Sequence, residues 1–273
     1  VCFAEFIENS PSSILHTQNF WHPIIEKEFV RPSSLYLGGE RPRDIIVTGP
    51  NAGGKSVNLK ALLINLTLAQ TFGIACAETW SFTPFTKIIA RLKGVDDTAS
   101  DKSKFMLEAI GMAGLLKEML TLKPHEHAFV VTDELFTGTE VGPAISLSIE
   151  LCAQIGKLPN VMYVLATHYK QICELARITD KTFDNYKVSV FKDKENNKLI
   201  YPFSLSQGVG NTNVAFDIFL EQLRKEEITD HVLLDIINKA KLRQESIEQA
   251  LEHIDTIATR ATTSEPLPVV VEI

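Results

Sequence analysis

Residues 45–56 read Ile-Ile-Val-Thr-Gly-Pro-Asn-Ala-Gly-Gly-Lys-Ser, an apolar run that gives way at once to glycines, a proline and a lysine. The run Ile45 to Thr48 has the uninterrupted apolar character of a strand covered on both faces. Behind it, Lys55 to Thr71 carries Leu59, Leu62, Leu63, Leu66 and Ala69 on one helical stripe. Between them, Gly49, Pro50, Asn51, Ala52, Gly53, Gly54, Lys55 and Ser56 satisfy G-x-x-x-x-G-K-[ST], in the strand-to-helix setting that the motif needs. Glycines let the backbone wrap closely around phosphate oxygens, so that N–H groups and the positive end of the following helix face the anion. Lys55 is the candidate partner of the β- and γ-phosphates, Ser56 the candidate hydroxyl ligand of Mg2+, and Val57 extends the loop's nucleotide-binding set.

Outward from this loop the pattern repeats. Lys87 to Leu92 predicts a strand, Ser103 to Leu120 a helix carrying Phe105, Met106, Ala109, Ala113, Leu116 and Leu120, and Ala128 to Thr132 a second buried strand. Pro143 to Gly156 predicts a helix with proline at its favoured first position, and Val161 to Ala166 a third buried strand. Alternating strands and helices imply a mostly parallel sheet covered by helices. Upstream, Cys2 to Glu8 predicts a helix ending at Asn9-Ser10-Pro11, followed by a turn-rich stretch to Gly38-Gly39. Downstream, Tyr186 to Phe191 and Lys198 to Phe203 flank the polar turn Asp193 to Asn197 and predict a β-hairpin. Asn213 to Arg224 and Thr229 to about Arg260 predict helices. In the last, Val232, Ile236, Ala240, Ile247, Leu251, Ile254 and Ala258 form a stripe that suits either packing on the same domain or a dimer contact. Thr262 to Ser264 and the Pro-rich end predict a frayed tail.

Composition narrows the classes. With 273 residues, 45% hydrophobic and 22% charged, the chain can bury an ample core without staples. Its longest apolar stretches are strand-sized, so no membrane helix is expected. The start, Val1 to Asn9, has no basic n-region and reads as part of a longer protein rather than a signal peptide. Four cysteines (Cys2, Cys76, Cys152, Cys173) form no Cys-x-x-Cys pair, which argues against a zinc site or disulfide framework and fits a reducing cytoplasm. A formal charge of −7 argues against this segment itself gripping a phosphate backbone.

The chemistry continues in "FVVTDELFTG". A buried strand delivers Asp133 and Glu134 to its carboxyl end, where ligands collect in open α/β sheets. Asp133 is assigned to the Mg2+ shell and Glu134 to polarising an attacking water. In "VLATHYK", His168 follows the third buried strand; if that strand neighbours the Asp133 strand, the imidazole lies near the γ-phosphate, able to sense nucleotide state or orient water. His125 and His127 bracket Glu126 without a third ligand and read as a solvated loop. Gly208-Val209-Gly210 follows the hairpin instead of opening a βαβ unit, so it is no dinucleotide fingerprint.

Taken in order, "FWHPII", "TGPNAGGKS", "GVDDTASDKSKFM", "VVTDELFTGTE", "LATHY" and "KAKLRQESIEQ" resemble the C-terminal ATPase domain of the MutS family of DNA mismatch-repair proteins, over about residues 20–258. The resemblance implies a three-layer, ABC-like P-loop NTPase with a central mixed, mostly parallel sheet and a C-terminal helical extension. It implies residues 1–40 as the end of a preceding helical region and lead-in, 41–225 as the ATPase domain, 226–260 as a dimerisation extension and 261–273 as a flexible tail. ATP and Mg2+ are the implied cofactors, with Lys55, Glu134 and His168 catalytic. A homodimer or heterodimer with a MutS-like subunit is implied, Ser103 completing the site across it, together with DNA held by domains outside this chain and a cytoplasmic or, in a eukaryote, nuclear setting. Family members stack adenine between two side chains: Phe203 matches the second, while Phe29 and Tyr36 compete for the first. Departures from the family pattern are Val57 and Lys104, each where Thr is usual, the missing basic residue in Leu135 to Thr139, Asn213 for Ser and Ala215 for Gly. They bear on turnover and the trans contact rather than on nucleotide binding. Two other functions compete: a non-catalytic ATP-dependent clamp or assembly module, and a chromosome-associated ABC-like ATPase, the latter opposed by the lack of a long heptad insert between Ser56 and Asp133.

Overall fold

The computed structural model describes residues 1–26, 31–50, 53–92, 104–193, 199–210, 215–226, 231–233, 235–244 and 246. These belong to two compact units, Val1–Val214 and Ala215–Ile273.

In chain order the first unit contains β1 (Cys2–Phe3), β2 (Glu5–Phe6), β3 (Leu15–Phe20), β4 (Ser33–Leu37), β5 (Asp44–Thr48), α1 (Lys55–Phe72), β6 (Ile74–Ala75), β7 (Thr79–Phe82) and β8 (Lys87–Arg91). There follow α2 (Lys104–Leu120), β9 (Ala128–Asp133), α3 (Val141–Gly156), β10 (Val161–Thr167), a 3-10 turn with the short α4 (Leu175–Ile178), β11 (Phe183–Val188), β12 (Phe191–Lys192), β13 (Leu199–Ile200) and β14 (Leu205–Gln207). The central sheet has six strands in the order β14-β11-β5-β10-β9-β8. All neighbours are parallel except the edge strand β14, which runs antiparallel to β11. This is an α/β fold with a mixed, mostly parallel sheet, as the sequence predicts.

Every residue of β5, β9 and β10 is buried, because apolar cores lie on both faces. Side-chain alternation divides them. Ile45, Val47, Val164 and Ala166 pack with Leu59, Leu62 and Leu66 of α1 and with Leu15, Leu35, Trp80 and Phe82. Ile46, Val130, Tyr163 and Leu165 pack with Met112 and Leu115 of α2 and Ala144, Cys152 and Ile155 of α3. Helix α1 ends at Gly73, whose φ of 69° closes the last turn with an N–H bond to Ala69 O.

The amino-terminal segment corrects the reading of residues 2–8 as a helix. It forms two short strands, with Ala4 N donating to Gly73 O and Ile7 N to Phe82 O at 2.9 and 2.8 Å. A helix of two turns is too short to hold itself together, whereas an edge of existing sheet supplies ready backbone partners. The turn-rich reading of the stretch up to Gly39 is likewise replaced by β3 and β4, which join β2 and β7 in a four-stranded sheet of order β2-β7-β3-β4. The layer on the α1 face of the central sheet is therefore part helix and part sheet. Pro143 is the third residue of α3, not the first; the opening N–H groups of a helix lack internal partners in either case, so proline fits there too. Of the predicted hairpin only a short ladder forms, pairing Phe191 with Ile200 and Lys192 with Leu199; Tyr186 to Val188 belong instead to β11 of the central sheet, where β5 and β14 supply their partners.

In the second unit, α5 (Ala215–Lys225) is helical, as are residues 231–233 and 235–244. Lys241 Nζ donates to Asp217 Oδ1 at 3.0 Å. Most of the predicted final helix and the whole predicted tail lie outside the described residues.

Candidate nucleotide site

Strand register brings the candidate residues to one edge. Thr167 of β10 pairs with Thr48 of β5, and Ala166 pairs with Asp133 of β9. Gly49, Glu134 and His168 thus leave the sheet from the same carboxyl edge, and the condition placed on His168, that its strand neighbour the Asp133 strand, is met. In open α/β sheets this edge is where ligands bind.

Of the glycine loop, Asn51 and Ala52 lie outside the described residues. Gly54 has φ 101°, and a Cβ there would meet Phe203 Cδ1 at 2.5 Å; a Cβ on Gly49 would meet Val188 O at 2.5 Å. Glycine is therefore required twice, by close approach of two different segments. Lys55 is buried, and its Nζ donates to Gly49 O at 2.7 Å and Pro50 O at 3.2 Å. Its ammonium is held over the loop's own carbonyls. Ser56 Oγ donates to Asp133 Oδ2 at 2.7 Å, joining the first turn of α1 to the end of β9 across the intervening β10.

Glu134 follows with φ 56°, its N–H donating to Ala166 O at 2.8 Å, so the chain turns sharply as it leaves the sheet. A non-glycine residue in the left-handed region is strained and marks a position the surroundings dictate. The side chain is 5% exposed, and Oε1 lies 3.3 Å from His168 Nδ1. The two are close but not aligned, since this nitrogen is buried without a hydrogen bond. Phe136 is also left-handed, at φ 54°, and the turn is pinned by Glu108 of α2, which accepts from Thr137 Oγ1 at 2.8 Å and Gly138 N at 3.2 Å. Ser103, the trans candidate, lies outside the described residues; α2 is described from Lys104.

Beside the loop is a cavity of about 110 Å³ lined by Phe20, Trp21, His22, Ile25, Arg31, Val57, Asn58, Ala61 and Phe203. Phe203 and Val57 thus belong to it. Burial, then the charge of Lys60, holds the His22 imidazole below its usual range, favouring the neutral ring. Tyr36 is not among the lining residues: it packs against His16, with the Arg41 guanidinium 5.5 Å over its ring. Phe29 lies outside the described residues. Trp21 and His22 fall in the "FWHPII" segment without a role assigned to either from the sequence, and Asn58 is singled out only by the structure. The solvated-loop reading of His125 to His127 is corrected at one position: His127 is buried, with Nδ1 3.0 Å from Ser13 Oγ, and burial lowers its pKa. Among the described residues no group of three or more His, Cys, Asp and Glu side chains converges as a metal site, and no helix is long and apolar enough to cross a membrane.

A glycine loop at the carboxyl end of a buried parallel strand, a hydroxyl meeting an acidic strand end, and an intervening parallel strand define a P-loop NTPase-type α/β domain. The comparison with known proteins narrows the class. Residues 45–257 match the family model of MutS domain V, and the chain belongs to that family. It is 29% identical over 189 residues to the DNA mismatch repair protein MutS of Symbiobacterium thermophilum, covering 67% of this chain and 21% of that protein. It is 32% identical over 177 residues to that of Microcystis aeruginosa, covering 62% and 19%. With MutS of Shouchella clausii it shares 24% identity over 250 residues, covering 90% and 26%. The chain thus spans about a fifth to a quarter of the length of these relatives.

Proposed function

We propose that this domain binds ATP with Mg2+ and hydrolyses it to ADP and phosphate, as one of two MutS-like subunits whose nucleotide state governs DNA-holding domains outside the chain. The observation that carries the reading is the 2.7 Å contact between Ser56 Oγ and Asp133 Oδ2 beside the Lys55 cradle. A hydroxyl and a carboxylate converging at one point are the hard oxygen donors that Mg2+ takes, so these residues fit the ion. When bound, the ion supplies charge neutralisation at phosphoryl oxygens. The protein's own groups do the rest. Lys55 exchanges two backbone carbonyls for phosphate oxygens, and amides of the loop and of the first turn of α1 face the same anion. Glu134 orients water and accepts its proton, with His168 beside it to sense the nucleotide state or orient the same water. Phe203 and the aromatic lining of the cavity receive the base, and Ser103 of each subunit serves the other's site. Residues 226–260 act as the dimerisation extension, in a cytoplasmic or nuclear protein.

Sedimentation with and without ATP and Mg2+, alongside phosphate release, tests binding, assembly and turnover together. The expected result is a faster-sedimenting species with ATP and Mg2+ and measurable phosphate release; an unchanged species that neither binds nor releases would overturn the proposal. A clamp with negligible turnover is the competing reading, favoured by Lys104 and Thr137 at positions where the family has Thr and a basic residue. It predicts assembly without phosphate release.

A further inference from the structure

One side chain of the cavity is committed to other parts of the protein. Asn58, on the second turn of α1, is 4% exposed. Its Nδ2 donates to Gly54 O at 3.1 Å and to Phe203 O at 2.8 Å. Its Oδ1 accepts from Ser33 Oγ at 2.9 Å. Ser33, itself 3% exposed at the start of β4, accepts in turn from Leu205 N at 2.9 Å. The chain of donors therefore runs from Leu205 N–H to Ser33, from Ser33 to Asn58, and from Asn58 to two carbonyls. Both amide protons, the amide oxygen and the Ser33 hydroxyl proton are used, so Asn58 has no donor left with which to read a ligand. Networks of this kind, buried and fully satisfied, fix a single geometry.

What they fix is Phe203. This residue has φ 53°, a conformation that bulky side chains rarely adopt, and its ring lies so close to Gly54 that no Cβ fits between them. The carbonyl of Phe203 and the amide of Leu205 are both anchored, on either side of Ser204, to the one buried pair. Such strain persists only where the surroundings impose it. The same amide holds the Gly54 carbonyl, immediately before Lys55, so the wall of the cavity and the phosphate loop share a single buried anchor.

We infer that Asn58 and Ser33 are positioning residues that lock the Phe203 ring as the base-stacking wall of the cavity and set it at fixed distance from the phosphate loop. The inference rests on the nucleotide reading above and adds to it that base affinity is determined by two polar side chains with no hydrogen-bond donor left to offer the base.

The test separates base from phosphates. Binding of ATP and of inorganic tripolyphosphate, each with Mg2+, is measured by calorimetry for the protein, for Ser33→Ala and for Asn58→Ala, with thermal unfolding as a fold control. Loss of a stacking wall weakens ATP binding about tenfold, the scale of one base–aromatic stack. Tripolyphosphate binding stays within about twofold, because the Gly54 carbonyl keeps its bond from the Asn58 backbone N–H at 3.1 Å and the phosphate loop is held without the side chain. KM for ATP rises with kcat nearly unchanged, since the effect is on ground-state binding. On a Phe203→Ala background Asn58→Ala has no further effect on ATP binding, which closes a double-mutant cycle. Equal weakening of ATP and tripolyphosphate, or a full Asn58→Ala effect in the Phe203→Ala background, overturns the inference and leaves the nucleotide reading standing. Failure of the unaltered protein to bind either compound overturns both. Ser33→Ala leaves α1 unaltered, so it carries the test should Asn58→Ala fail to fold.

Discussion

Two buried aspartates, one opening a strand and one closing another, are treated in opposite ways. Asp44, at the start of β5, is fully buried and accepts from Arg43 Nε at 3.0 Å, Arg43 Nη2 at 2.7 Å and Tyr163 N at 2.9 Å. Arg43 is tied further, to Gly156 O at 2.9 Å. Asp133, at the end of β9, is 6% exposed and among the described residues accepts one side-chain bond, from Ser56. A carboxylate whose oxygens are committed to a cation and an amide holds the fold. One left with acceptor capacity beside a hydroxyl is ready for a ligand. Neighbouring backbone agrees: Glu134 and Phe136 next to Asp133 are left-handed, whereas Asp44 begins a regular strand.

The largest expected effect lies at the carboxyl edge. Glu134→Gln keeps the side chain's size and its approach to His168 but removes the proposed base, so turnover should fall about 10²- to 10⁴-fold. ATP affinity should be retained. Single-turnover phosphate release with equilibrium dialysis measures the two separately; an unchanged release rate would exclude Glu134 from the chemistry and move the carboxyl edge toward the clamp reading.

At the other aspartate the effect is on folding. Arg43→Met leaves Asp44 buried without its cation, and removing one partner of a buried pair costs about 3–5 kcal/mol. Urea unfolding should show the lowered midpoint, while turnover per folded molecule holds. A variant as stable as the parent would mean that Asp44 does not depend on its pair, and the contrast with Asp133 would fail.

The same pair gives a pH dependence. Burial raises the Asp44 carboxyl from 3.8 to about 6, outweighing the opposing hydrogen bonds and charge of Arg43. The folded state thus holds a proton that the unfolded chain releases earlier. Its contribution to stability is complete below pH 3.8 and is lost as pH rises through about 6. Between pH 5 and 7 the stability of the protein relative to Asp44→Asn should fall by about 1.4 kcal/mol, one pKa unit's worth. Parallel urea curves at the two pH values measure this; a difference that does not vary with pH would remove the raised carboxyl.

How much of this the sequence disclosed differs between the regions. The central strands were legible because burial on both faces forces unbroken apolar runs, and the glycine loop because Gly49, Gly53, Gly54, Lys55 and Ser56 fall at a spacing that few other structures need. Asp133 and Glu134 follow from the same logic. The four-stranded sheet was not legible. In β3 the alternation of Leu15 and Thr17 with half-buried neighbours breaks at the left-handed Asn19, and its partner β7 lies about sixty residues further along the chain. Cys2 to Phe6 carries spacing compatible with helix or strand, and only the waiting edges of β6 and β7 decide it. The approach of His168 to Glu134 depends on strand order, which periodicity does not encode. Ser33 and Asn58 gave no signal either, because their partners lie 25 and 145 residues apart in sequence and an isolated Asn in a helix reads only as a poor helix former.

The smallest effect is the most discriminating. Asp133→Asn keeps an oxygen able to accept from Ser56 Oγ and removes the charge. Folding stability should therefore change by less than about 1 kcal/mol, within the range of a single altered hydrogen bond. The Mg2+ dependence of ATP binding should change at the same time, because the amide is a weaker ligand for a hard cation. Urea midpoints and ATP titrations at several Mg2+ concentrations read the two effects. If Asp133→Asn instead cost as much stability as Arg43→Met, the carboxylate at the end of β9 would be a structural group like Asp44, and the charge available for chemistry would reduce to Glu134 alone.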